Sequence, residues 1–170
     1  MSLKFEKLSV LVVDDTMSMR NLIVSVLEVL NVGTILQASN GEQGFNLLRQ
    51  HNPDIVLVDW LMEPTNGIEL TKRIRNDTES PNRMAPIILI TGYSARPRVE
   101  EARDAGVTEF LVKPFTATDL TRRLQHVINN PRNFIDYNGY FGPDRRRQDD
   151  EHYSGPRRRE DDMEDTWSVN

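Results

Sequence analysis

The chain has 170 residues, 38% of them hydrophobic, and a formal net charge of −5; that is enough for one ordinary domain plus an appendage, and the low apolar share predicts that part of it has no core. Cysteine is absent, which excludes disulfides and thiolate metal sites and fits a reducing compartment. The acidic balance gives no case for general nucleic-acid binding, no run of 18 apolar residues exists, and the start "MSLKFEKLSV" lacks the apolar core of a signal peptide, so the expectation is a soluble cytoplasmic protein without membrane insertion.

The first element is "LSVLVVDD" (8–15), a short β-branched run ending in acids. A long apolar helical pattern, "RNLIVSVLEVL" (20–30), follows, then a weaker strand, "GTILQAS" (33–39). "GEQGFNLLRQH" (41–51) has helical amphipathicity and is closed by Pro53. "IVLVD" (55–59) is a continuous apolar run of the kind buried on both faces of a parallel sheet. "GIELTKRIR" (67–75) is helical, "PIILITG" (86–92) is a strand, and "RVEEARDAG" (98–106) is a helix with Gly106 as its C-terminal glycine. "EFLVKP" (109–114) is the fifth strand. The last helix is "TATDLTRRLQHVINN" (116–130), where Thr118 is followed three residues later by another Thr rather than Glu, so that no capping box is expected there. Strand and helix alternate five times. Right-handed crossovers then give a doubly wound five-stranded parallel α/β sheet with helices on both faces. Residues 1–130 form this domain, and Pro131 ends its last helix. Residues 131–170 hold three Gly, three Pro and many charges without periodicity, which predicts a tail disordered until something binds it.

Ligands of such sheets bind at the carboxyl ends of the strands, where strand order reverses. Asp14 and Asp15 end the first strand, Asp59 the third, Thr91 the fourth and Lys113 the fifth. Three carboxylates together repel one another and favour a hard dication bound by oxygen, for which Mg²⁺ is suited. One carboxylate can then attack phosphorus and become an acyl phosphate. Lys113 would neutralise phosphoryl charge and the Thr91 hydroxyl would bond a phosphoryl oxygen, the positioning and charge stabilisation that phosphoryl transfer needs. Any one terminal Asp is usually a cap or a solvated group; five suitable residues at strand ends make that reading improbable for the set. His51, His126 and His152 are scattered and do not suggest metal ligation. Met17, Met19 and Met62 read as packing, Trp60 as packing beside the site and a possible fluorescent reporter, and Trp167 as an incidental tail aromatic or a late ligand contact.

"VLVVDDTMSMR", "IVLVDW", "ILITGY" and "FLVKPF" resemble the receiver domain of two-component response regulators of the chemotaxis CheY type, over roughly residues 6–130. The resemblance implies a flavodoxin-like sheet of order 2-1-3-4-5 and a cis peptide at Lys113–Pro114. It implies that Asp59 is the phosphoacceptor, that Asp14, Asp15 and Asp59 hold Mg²⁺ together with the Leu61 backbone carbonyl, and that Thr91 and Lys113 contact the phosphoryl group. Phe110, three residues before Lys113, matches the aromatic switch. The implied phosphate donor is a histidine kinase or phosphotransfer protein, so the chain is an acceptor rather than an enzyme. Two departures stand out: "DWLMEPTNG" carries Glu63 where the family often has Pro, with Pro64 one later, and a bulky Tyr93 follows Thr91 and Gly92. No second output domain is apparent, so the expected output surface is about residues 98–130, or the tail.

The tail repeats itself. "YFGPDRRRQDD" and "YSGPRRREDD" lie thirteen residues apart, aligning Tyr140 with Tyr153, Gly142 with Gly155 and Pro143 with Pro156. All seven basic residues beyond residue 130 are Arg, against ten acids. An Arg fork matches the N7/O6 edge of guanine or a phosphate, Arg and Tyr stack on bases, and a carboxylate can accept from guanine N–H groups. Both copies carry Arg-x-x-Asp, as Arg146/Asp149, Arg147/Asp150, Arg158/Asp161 and Arg159/Asp162. The segment resembles the arginine-rich extensions of CheY-like proteins that bind cyclic di-GMP, the Cle group, over about residues 134–162. That resemblance implies a cyclic di-GMP site drawn from Tyr140, Asp144, Arg145, Arg146, Arg147, Asp149, Asp150, Tyr153, Arg157, Arg158, Arg159, Asp161 and Asp162, and the flagellar motor switch as partner, acting on motility and attachment. Two other readings stay open: a phosphorelay intermediate with a protein-docking tail, and a charge-balanced tail that adds solubility. DNA or RNA is disfavoured because acids outnumber arginines in the tail.

Overall fold

The computed structural model describes residues 5–92 and 96–145. Five parallel strands form one sheet in the order β2-β1-β3-β4-β5: β1 Ser9–Val13, β2 Thr34–Ala38, β3 Ile55–Asp59, β4 Ile87–Thr91 and β5 Glu109–Val112. The intervening helices are α1 Met17–Val29, α2 Gly41–His51, α3 Gly67–Asn76 and α4 Arg96–Ala105, with α5 Ala117–Asn129 after the last strand. The expected doubly wound sheet is therefore the observed one, and the Lys113–Pro114 peptide is cis, as is Glu63–Pro64.

Side chains alternate across each strand, which splits the apolar residues into two cores. On one face Leu11, Val13, Val56, Val58, Ile87 and Leu89 meet Phe45, Leu48, Leu70 and Ile74 of α2 and α3. On the other, Val10, Val12, Ile55, Leu57, Ile88 and Ile90 meet Ile23 and Leu27 of α1 and Leu120, Leu124 and Val127 of α5. Strands β3 and β4 are buried along their whole length, which is why their sequences carry no polar alternation before the terminal Asp59 and Thr91.

The structure differs from the sequence reading at Met17, read as packing but 66% exposed, and in two elements of local structure. The first concerns α5. Its cap is Thr116, not Thr118, and a capping box is present: Thr116 Oγ1 accepts from the Asp119 N–H at 3.1 Å while the Asp119 carboxylate accepts from the Thr116 N–H at 2.8 Å. Asp, one methylene shorter than the usual Glu, closes the same reciprocal pair. The second concerns residues 131–145, which are not structureless. Phe134–Tyr137 (β6) and Tyr140–Pro143 (β7) pair antiparallel across an Asn138–Gly139 turn. Both turn residues have positive φ, 49° and 78°, the backbone that a tight two-residue hairpin demands and that Asn-Gly supplies.

The hairpin lies on the edge of the domain away from the strand carboxyl ends. β7 packs against α3. The Phe134 and Phe141 rings lie 5.7 Å apart, with the Arg75 guanidinium 4.9 Å from the Phe134 centroid and the Arg83 guanidinium 3.8 Å from that of Phe141. Beneath them Arg75 is fully buried and has no carboxylate among its hydrogen-bond acceptors; its fork donates to the carbonyls of Gly106, Arg83 and Ala85 and to Thr108 Oγ1. Burial pulls its pKa down to about 9.

Candidate phosphoacceptor site

The carboxyl ends of β1 and β3 bring three acids together. Asp14 follows Val13 and is buried, Asp15 is exposed, and Asp59 closes β3 with only 5% of its surface exposed. Oxygens of all three lie within 4.8 Å of one another, and among the described residues this is the acidic group that could hold a metal. Lys113, just beyond β5, places Nζ 3.0 Å from Asp59 Oδ1. Thr91 is buried at the end of β4, and its carbonyl accepts from the Lys113 N–H at 2.8 Å, which fixes Lys113 against the neighbouring strand end. Phe110 pairs with Leu89 in register, so it shares the Thr91 face of the sheet and is buried there. Leu61 stands two residues past Asp59 and is 60% exposed.

Sequence reading missed the supports of this site. The Thr16 N–H donates to Asp14 Oδ1 at 2.8 Å and Arg20 donates to the Asp14 carbonyl at 2.6 Å. Gly67 opens α3 against the end of β3: a Cβ there would lie 2.5 Å from the Asp59 carbonyl oxygen, and its N–H bonds the Trp60 carbonyl at 2.9 Å. No side chain fits, so only glycine folds the 60–66 loop back onto the end of β3. "TNG" before a helical pattern carried part of that signal.

Electrostatics decide what the pocket wants. Burial raises the Asp14 pKa to about 6, against the pull of the Thr16 N–H, and the Asp59 charge raises it further. Burial also raises that of Asp59, opposed by the hydrogen bond from Lys113. Asp14 Oδ2 is enclosed with no hydrogen-bond partner. An orphaned carboxylate oxygen beside two more carboxylates, with a single Lys to offset them, fits a hard, oxygen-seeking dication.

A folded-state pKa raised above 3.8 means that Asp14 favours the fold when protonated. Its contribution is complete below about pH 4 and is lost as pH rises through about 6, up to about 3 kcal/mol. In chelator, urea stability is therefore expected to fall between pH 4.5 and 7, and millimolar Mg²⁺ to restore it at pH 7. A stability that climbs with pH in chelator would contradict the assignment.

Five helices around a five-stranded parallel sheet thus carry, on adjacent strand ends, an acidic pocket, a Thr and a Lys. The response regulator receiver domain model matches residues 10–125, and the chain belongs to that family. It is 34% identical over 123 residues to chemotaxis protein CheY-3 of Vibrio cholerae, covering 72% of this chain and 93% of that one. To chemotaxis protein CheY of Pseudomonas aeruginosa it is 31% identical, covering 71% and 96%. Among solved structures, Vibrio cholerae CheY4 superposes with a TM-score of 0.66 at 27% identity, over 71% of this chain and 98% of that one. The chain is thus a CheY-type receiver, a class that accepts phosphoryl groups, holds Mg²⁺ in an acidic pocket and is generally not enzymatic. No helix among the described residues is long and apolar enough to cross a membrane.

Of the expected nucleotide-binding residues, three are described. The Arg145 guanidinium lies 4.2 Å from the Tyr140 ring centroid and pairs with Asp104 at 2.7 Å. Tyr140 Oη donates to the Pro143 carbonyl at 3.0 Å. Asp144 closes the hairpin through its N–H to the Asn133 carbonyl. Arg146, Arg147, Asp149, Asp150, Tyr153, Arg157, Arg158, Arg159, Asp161 and Asp162 lie outside the described residues, as do Tyr93, His152 and Trp167.

Proposed function

We propose that Asp59 is the phosphoacceptor of a response regulator whose arginine-rich tail takes cyclic di-GMP. The observation that carries the first half is the Lys113–Asp59 ion pair at 3.0 Å inside a pocket of three carboxylates. An Asp59 oxygen attacks the phosphorus of a phosphohistidine on a histidine kinase or phosphotransfer protein; a P–O bond forms, the P–N bond breaks, and the imidazole departs with a proton. Lys113 neutralises the transferred group and the Thr91 hydroxyl bonds one of its oxygens. Asp14, Asp15, Asp59 and the Leu61 carbonyl would hold Mg²⁺, which supplies charge neutralisation of the phosphoryl oxygens. Movement of Thr91 and Phe110 toward the acyl phosphate would re-shape the surface of residues 98–130, the face offered to a partner such as the flagellar motor switch.

Support for the second half is the ordered recurrence of Tyr-x-Gly-Pro, an Arg run and Arg-x-x-Asp. Solubility requires no such order, and a phosphorelay intermediate has no use for it. Two guanines and two phosphates match two sets of forks and carboxylates. Arg146→Ala combined with Arg158→Ala is expected to abolish cyclic di-GMP binding while leaving phosphorylation by acetyl phosphate intact. Loss of both together would contradict separate sites.

A further inference from the structure

We propose that the β6–β7 hairpin is a clamp on α4 that biases the phosphoacceptor pocket, and that Arg145 is its latch. The inference rests on the reading of Asp59 as phosphoacceptor and on nothing about a nucleotide, except where Arg145 is shared.

Helix α4 has little apolar grip of its own. It buries Val99, Ala102 and Ala105, where α3 buries Ile68, Leu70 and Ile74 and α5 buries Leu120, Leu124 and Val127. Two alanines remove far less apolar surface from water than the large side chains of the other helices. Besides its packing on α3, α4 is tied at one end from outside the five-stranded domain. At the C-terminal end of α4, Arg145 pairs with Asp104 at 2.7 Å and stacks on Tyr140. The Tyr140 ring in turn folds over Gly142, where a Cβ would collide with its hydroxyl and lie 3.1 Å from the Gly106 Cα. Arg132, leading into the hairpin, donates to the Thr108 carbonyl at 3.2 Å, just beyond the helix.

The other end of α4 approaches the residue that follows the pocket's Asp59. Arg98 holds its guanidinium 5.8 Å from the centroid of Trp60, the residue after Asp59. A helix of ten residues, about 15 Å long, therefore joins the hairpin at one end to the neighbour of the phosphoacceptor at the other. The position of α4 held by the clamp coexists with the direct Lys113–Asp59 ion pair, which an acyl phosphate on Asp59 would replace. In this proposal the clamp favours the ion pair and its release favours the phosphoryl group; the coupling runs both ways. Arg145 also begins the first arginine run, so a tail ligand that draws its fork away from Asp104 opens the clamp.

The test uses the full chain with Trp167→Phe, so that Trp60 alone reports. Gly142→Val forces the hairpin off Gly106. Asp104→Arg sets like charge against Arg145, and Asp104→Arg with Arg145→Asp restores an opposite pair. Amide exchange is followed in α4 and, as a control on folding, in β1 and β3. Beryllofluoride with Mg²⁺ is titrated by Trp60 fluorescence. Gly142→Val and Asp104→Arg should speed α4 exchange by about tenfold and about threefold with β1 and β3 protected, and lower the beryllofluoride midpoint by about threefold or more. The charge-swapped pair should return both readings toward the starting chain. Unchanged α4 exchange in both single variants would overturn the clamp. So would faster exchange with an unmoved or higher midpoint, which would make the hairpin a structural support only. A starting chain whose Trp60 signal ignores beryllofluoride would count against the phosphoacceptor reading and with it the coupling, while the exchange data would still decide whether the hairpin holds α4.

Discussion

Asp59→Asn is expected to end phosphoryl uptake from acetyl phosphate, read as the loss of the singly phosphorylated species by intact mass. Asn keeps the shape and the Lys113 contact but has no anionic oxygen to attack phosphorus. Neither remaining acid can take over: Asp14 has one oxygen committed to the Thr16 N–H and is raised toward neutrality by burial, and Asp15 is exposed at the rim. The same change removes one of three mutually repelling carboxylates. In chelator the variant should therefore be more stable at pH 7, by about 1 kcal/mol, and should gain less from Mg²⁺. Persistent phosphorylation at wild-type level would move the acceptor elsewhere and remove the basis for the mechanism.

The largest stability effect is expected at Arg75. It is a fully buried guanidinium that bonds three carbonyls and a threonine hydroxyl and lies under the Phe134 ring. Arg75→Ala leaves those acceptors buried without donors and opens a cavity where α3, the loop before β4, the start of β5 and the hairpin meet. A loss of about 3–5 kcal/mol follows by urea unfolding. Arg75→Lys should recover little, since a single ammonium cannot reach acceptors arranged around a planar fork. A cost below about 1 kcal/mol for Arg75→Ala would mean that water replaces the fork and that the hairpin does not seal this site.

Most of the sheet and the pocket were legible because they rest on composition along the chain. "IVLVD" and "PIILIT" are apolar on both faces, so their burial and parallel pairing follow, and the polar residue ending each run must then sit at the sheet edge. The supports were not legible, because their partners are backbone atoms far away in sequence: nothing local in "TKRIRN" says that Arg75 will reach the carbonyl of Gly106, or that Gly67 will touch that of Asp59. The hairpin is a different case. "FIDYNGYF" carries Asn-Gly between aromatic and β-branched residues, the strongest short-range hairpin signal. The charge-rich composition of residues 131–170 masked it, since an average over the whole segment reads as lacking a core. Its aromatic residues do find one, on Arg75 and Arg83 of the receiver. The first Tyr-x-Gly-Pro copy thereby has a structural use: the Tyr140 hydroxyl closes on the Pro143 carbonyl and Arg145 covers the ring.

That use sets how the tail must be cut. A chain ending at Pro131 would lose the hairpin and uncover Arg75, confusing nucleotide loss with damage to the receiver. The decisive measurement is calorimetric titration of cyclic di-GMP, with GTP as control, into the full chain and into a chain ending at Arg145. Binding at micromolar affinity or tighter in the full chain, lost in the shortened one, is the result expected of a receiver with a nucleotide-sensing tail. No heat with the full chain, or equal binding to both, would contradict it.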